Sequence, residues 1–124
     1  MIAGGHVTLA VTDLGRAARF YLEALGMKLV AEDARTVTLD AGEGLILVLL
    51  SGRRASDKPA LATTIPDAMV GLRAKGRLAD VVAVLENRGI VFVLQDQGAD
   101  RRAHFRDPDG NDLYLFTGVT DPSP

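Results

Sequence analysis

Hydrophobic and polar positions alternate at the start of the chain. Over residues 4–11, Val7, Leu9 and Val11 fall on one side and His6, Thr8 and Ala10 on the other, the period of a half-buried strand. Asp13 follows as an N-cap. Leu14, Ala17, Ala18, Tyr21, Leu22 and Leu25 then recur at helical spacing, and Gly26 is placed to end the helix. Three short strands are predicted next, over 27–31, 35–40 and 44–50, the last entered through Gly42, Glu43 and Gly44. Residues 51–65 are rich in breakers at their start, lack a clear period, and read as a linker or a mobile loop.

The pattern then begins again. Ala68, Val70 and Leu72 alternate with Met69, Gly71 and Arg73, and a helix over about 77–87 carries Leu78, Val81, Val82 and Leu85 before Gly89. Strands are predicted over 90–95, 101–106 and 112–117. The two halves align at a constant offset of 63 over their first strand, helix and second strand, so that Gly26 matches Gly89 and Leu9 matches Leu72. One repeat of this length is a duplicated supersecondary unit and not a solenoid. Duplication of this kind tends to place a site where the copies meet.

Composition narrows the picture further. The 124 residues suit one compact domain, or two halves too small to fold apart. A net charge of −2 gives no electrostatic footprint for nucleic acid or an anionic membrane. The sequence has no cysteine, which removes disulfides, thiolate metal sites and cysteine nucleophiles. The opening residues lack a basic region followed by an apolar one, and the longest strongly apolar run, Leu45 to Leu50, is far too short to span a bilayer. A cytoplasmic location is expected.

Residues 105–111, FRDPDGN, followed by DLYLF, resemble the closing hairpin of the glyoxalase, bleomycin-resistance and extradiol dioxygenase (vicinal oxygen chelate) superfamily. The opening HVTLAVTDLGRAARFYLEALGMKLV resembles that superfamily's first strand and helix, so the resemblance runs through the whole chain in order. On physical grounds alone, Asp107 to Asn111 is a turn that joins two strands: proline pre-sets φ, aspartate bonds its own backbone, and Gly or Asn takes positive φ. The motif marks the fold and performs no chemistry.

The resemblance implies an α+β fold of two tandem βαβββ modules, about 3–50 and 66–118, forming a curved eight-stranded mixed sheet around a cleft with helices on the outer face. The whole chain, 1–124, is then a single domain. In metal-dependent members the first and last strands of each half supply a divalent ion's ligands. The positions implied here are His6, about Leu47, Met69 and Tyr114, and only His6 is a usual ligand, whereas such an ion normally needs three. No metal or other cofactor is therefore expected, unless the register of the ligand positions is wrong.

The strand faces opposite the helices carry His6, Thr8, Met69, Gly71, Arg73, Tyr114 and Phe116, with Leu47 adding apolar surface. An apolar wall with a few convergent polar groups suits a small molecule. Arg73 is either a partner for a ligand carboxylate or an exposed strand-end arginine. Arg102, His104 and Arg106 share one side of their strand, a solvated face by default and an anion contact otherwise. His6 reads first as a cavity or core histidine, and Tyr114 as a packed aromatic whose hydroxyl is bonded.

Two functions fit. The first is metal-independent binding of an apolar or aromatic small molecule, by sequestration of an antibiotic or secondary metabolite, in a homodimer of the kind common among such proteins. The alternative is an enzyme, a lyase, isomerase or dioxygenase relative, with His6 or His104 as acid or base and Tyr114 as a donor to a developing oxyanion.

Overall fold

A computed structural model of the chain describes residues 1–2, 4–52, 68–97 and 100–117, with 96, 97 and 100 as backbone only. The linker expected at 51–65 lies, beyond Gly52, outside the described residues. The first module runs β1 (Val7–Val11), α1 (Leu14–Arg19), a π-helical turn (Phe20–Ala24), β2 (Lys28–Glu32), β3 (Thr36–Gly42) and β4 (Leu45–Ser51). The second runs β5 (Val70–Arg73), α2 (Leu78–Glu86), β6 (Val93–Gln97), β7 (Asp100–Arg106) and β8 (Asp112–Phe116).

Each module is a βαβββ unit, and the strand orders, β1-β4-β3-β2 and β5-β8-β7-β6, repeat one another. The first and last strands of each module pair in parallel, and the other pairs are antiparallel. The eight strands expected in one sheet are hydrogen-bonded as two mixed four-stranded sheets, with no closed barrel. The chain divides into two compact units along these lines, except that Pro108–Gly110 belongs with the first.

Alternation decides which side of each sheet is buried. In the first unit Val11, Val37, Leu39, Leu47 and Leu49 form the core with Ala17 and Tyr21 of the helical segment. Asp13 caps that segment, its carboxylate accepting from Arg16 N at 3.1 Å. The expected helix up to Leu25 is present, but its last turn is wound wider, with Leu25 N–H donating to Phe20 O. Tyr21, in this wider turn, is fully buried, and Gly26 leaves the helix at φ 75°. In the second unit Val70, Leu72, Ala103, Phe105, Leu113 and Leu115 are buried, as are Leu78, Val82 and Leu85 of α2.

The Asp107–Asn111 turn does more than join β7 to β8. Asp107 closes it, accepting from Asn111 N and Nδ2, each at 2.8 Å. Asp109, fully buried, accepts instead from Thr12 N at 2.8 Å and Thr12 Oγ1 at 2.6 Å. Arg16 Nη2 donates to Thr12 Oγ1 and stands 3.6 Å from the same carboxylate. The reading of the motif as a turn therefore captures half of its role, and Asp109 anchors the junction of β1 and α1.

Candidate functional site

The half-exposed face of the second sheet gathers most of the chemistry that the sequence singles out. Cross-strand register sets it out in rows. Gly71, Tyr114, His104 and Val93 lie side by side across β5, β8, β7 and β6, and Arg73, Phe116, Arg102 and Gln95 form the next row. Tyr114, His104, Phe116 and Arg102 are each partly buried.

Gly71 makes the packing of Tyr114 possible. A β-carbon at position 71 would sit 2.6 Å from Tyr114 Cζ and 2.7 Å from its hydroxyl oxygen, so the phenol ring lies directly across the glycine. The His104 ring packs on the other flank at 5.3 Å between centroids, tilted by 33°. Phe116 stands 6.0 Å away, and the Arg102 guanidinium carbon is 4.9 Å from the Tyr114 ring centre. That separation is within cation–π range, worth about 0.5–1 kcal/mol at a partly exposed site. His104 Nε2 is closed to water and has no hydrogen-bond partner among the described residues. Arg106, one row beyond, is tied to Asp112 by an Nε–Oδ1 contact of 3.2 Å.

The remaining candidates fall elsewhere. Met69 precedes β5 and is exposed, on the alternation of Gly71. His6 and Thr8 belong to the first unit, and both are exposed. Leu47 is corrected: it is fully buried, and it cannot line a site on the half-exposed face. Its register partner is Val7, just as Leu113 partners Val70, so Leu47 repeats buried Leu113. Tyr114 is repeated by Val48, which pairs with Thr8 as Tyr114 pairs with Gly71. A slip of one residue along β4 moves a side chain to the opposite face.

This register exposes an asymmetry between the copies. Where the second module presents Gly71, Arg73, Tyr114 and Phe116, the first presents Thr8, Ala10, Val48 and Leu50. Where the second has Arg102 and His104 on β7, the first has Thr36 and Thr38 on β3. The aromatic and basic groups are thus concentrated in one copy.

The donor set fits a divalent ion poorly in either unit. His6 is followed on the half-exposed face of β4 by Ile46 and Val48, which have no donor atom. Met69 and Tyr114 offer a thioether and a phenol, weak ligands beside histidine and carboxylate. Among the described residues no three His, Asp or Glu side chains gather as a metal cluster. No helix among them is long and apolar enough to cross a membrane.

A duplicated βαβββ architecture with an aromatic face on its second sheet defines the class of the protein, and comparison with known families gives its place. The family described as the Glyoxalase/Bleomycin resistance protein/Dioxygenase superfamily matches residues 4–115, and the chain belongs to it. Among solved structures it is similar to a lactoylglutathione lyase from Agrobacterium tumefaciens, with 18% identity, a TM-score of 0.74, and coverage of 94% of this chain and 93% of that one. It is also similar to TnmS3, an antibiotic binding protein from Streptomyces sp. CB03234, with 24% identity, a TM-score of 0.73, and coverage of 96% and 98%. A glyoxalase/bleomycin resistance protein from the same Streptomyces is 25% identical, with a TM-score of 0.69 and coverage of 93% and 100%. Comparison with curated proteins finds no match.

Proposed function

We propose that the protein binds an apolar or aromatic small molecule, an antibiotic or other secondary metabolite, without a metal ion and without altering it chemically. The observation that carries this reading is the Tyr114 ring laid over Gly71 and flanked by His104, Phe116 and Arg102, an aromatic platform on a rigid sheet. Such a platform holds a planar ligand by stacking and desolvation, which require no nucleophile. Support also comes from TnmS3, the antibiotic binding protein of similar fold. A cytoplasmic homodimer is part of the same reading, and sedimentation of the purified protein tests the pairing.

One observation favours an enzyme as the second reading. His104 packs against Tyr114, so an acid–base group and a phenolic donor stand side by side. The two readings separate in one experiment. The protein is mixed with a panel of polycyclic aromatic antibiotics and, separately, with the glycopeptide bleomycin, with and without EDTA; melting temperature is followed, and each compound is recovered for mass spectrometry. Sequestration gives a raised melting temperature that EDTA leaves unchanged, and a compound of unaltered mass. Catalytic conversion of any compound, lost in His104→Ala, replaces binding with the enzymatic reading.

A further inference from the structure

We propose that the ligand is a hydroxylated aromatic compound, a neutral ring system whose hydroxyl group exchanges a hydrogen bond with the Tyr114 hydroxyl. This rests on the aromatic-binding reading above and adds the polar group that the ligand carries.

The argument comes from what surrounds Tyr114. Gly71 lies beneath its ring, the His104 ring packs on one flank at 5.3 Å, and Phe116 stands 6.0 Å away. The Arg102 guanidinium carbon is 4.9 Å from the ring centre. Each of these neighbours holds the ring, and none bonds the hydroxyl. The hydroxyl, expected from the sequence to be bonded within the protein, has no hydrogen-bond partner among the described residues. His104 has nitrogen atoms to offer, yet the two rings pack at a tilt of 33° and no hydrogen bond joins them. Nor is Tyr114 Oη closed to water, as His104 Nε2 is. A phenylalanine would fill the same space and keep the ring contacts. The hydroxyl is therefore surplus to the packing, and its bonding capacity is open on the face where a ligand ring would stack.

In the free protein, water meets that capacity. A hydrocarbon ring that covers Tyr114 expels the water and returns no bond, which costs affinity. A ring hydroxyl both donates and accepts, as the tyrosine hydroxyl does, so it replaces the lost bond in either direction. The first module has Val48 at the equivalent position and offers no such group.

Naphthol and naphthalene share a ring system, differ by one hydroxyl and are both uncharged at neutral pH, and their binding to the full chain can be compared by calorimetry. Naphthol is expected to bind about five-fold more tightly than naphthalene, a ratio that is a test without any variant. Tyr114→Phe should bring the ratio to about one by weakening naphthol alone, at an unchanged melting temperature. Tyr114→Leu, which removes the ring as well, should weaken both compounds. A ratio near one in the unmodified protein, or a ratio that survives Tyr114→Phe, overturns the hydroxyl assignment and leaves the aromatic reading in place. Binding of both compounds that Tyr114→Leu leaves intact, or no binding of either by the unmodified protein, overturns both.

Discussion

Replacing Gly71 with alanine adds one carbon at the point where the structure has no room for it. The new β-carbon would lie 2.6 Å from Tyr114 Cζ, 2.7 Å from Oη and 2.9 Å from Cε2, whereas ordinary contact begins near 3.4 Å. The ring must therefore retreat by about 0.8 Å, and it can, because the obstructing atoms are the far end of a side chain and not backbone. Gly71 does not have a positive φ, so alanine imposes no backbone strain there. Its restriction of the unfolded chain favours folding by about 0.4–1 kcal/mol and offsets lost ring contacts. Net stability should change by less than about 1 kcal/mol.

The platform responds more strongly. A displaced Tyr114 loses its setting against His104, Phe116 and Arg102, and a loss of about 1 kcal/mol of stacking weakens an aromatic ligand roughly five-fold. The chain has two tyrosines and no tryptophan. In a Tyr21→Phe background, near-ultraviolet dichroism and tyrosine fluorescence therefore report Tyr114 alone. Gly71→Ala should change both signals at nearly constant melting temperature, while Thr8→Ala, at the equivalent position of the first module, should change neither. Unaltered Tyr114 signals and ligand affinity in Gly71→Ala would refute the ring-over-glycine account. A loss of stability above about 3 kcal/mol would refute it too, since a ring free to yield does not unfold the protein.

Other consequences follow from the packing. Asp109→Ala leaves the Thr12 amide and hydroxyl without their acceptor and should cost about 2–4 kcal/mol in urea unfolding, more than the exposed N-cap variant Asp13→Ala at about 1 kcal/mol. Leu47→Ala should lower stability by about 2–4 kcal/mol and leave aromatic ligand affinity unchanged, as expected of a core position of the first sheet when Tyr114 lies on the second. Asp33 accepts from the backbone amides of Arg35 and Thr36, then from the Thr36 side chain, and these bonds hold its carboxyl below the usual aspartate value of 3.8. Because the folded value is the lower one, its contribution to stability is fully present above 3.8 and is lost as pH falls through the folded value. Asp33→Asn should flatten that part of the acid unfolding profile, and a carbon-13 titration of the Asp33 carboxyl should give a midpoint below 3.8. An unshifted midpoint counts against the turn geometry.

Hydrophobic periodicity placed the strands, both helices and the 63-residue repeat, because most strands bury one face and each helix one stripe; β2, exposed throughout, and β6, exposed at Val93, Leu94 and Gln95, are the exceptions. Residues Gly71, Arg102, His104, Tyr114 and Phe116 also share a face as their alternation requires. What periodicity could not supply was register at β4. Leu45 to Leu50 is apolar at every position, so nothing in that run says which residues face the core. The pairing of Val7 with Leu47 decides it, and the repeat itself contains the answer, since Leu113 and Tyr114 alternate clearly where Leu47 and Val48 do not. Asp109 was illegible for a different reason: its partners Thr12 and Arg16 lie over ninety residues away, and a turn motif states only its local bonds. The asymmetry of the copies follows from the same register. Once Val48 is aligned with Tyr114 and Thr8 with Gly71, the first module has neither the ring nor the gap beneath it. On the proposed aromatic-binding reading, substitutions in the second sheet should therefore separate binding from folding more cleanly than any in the first.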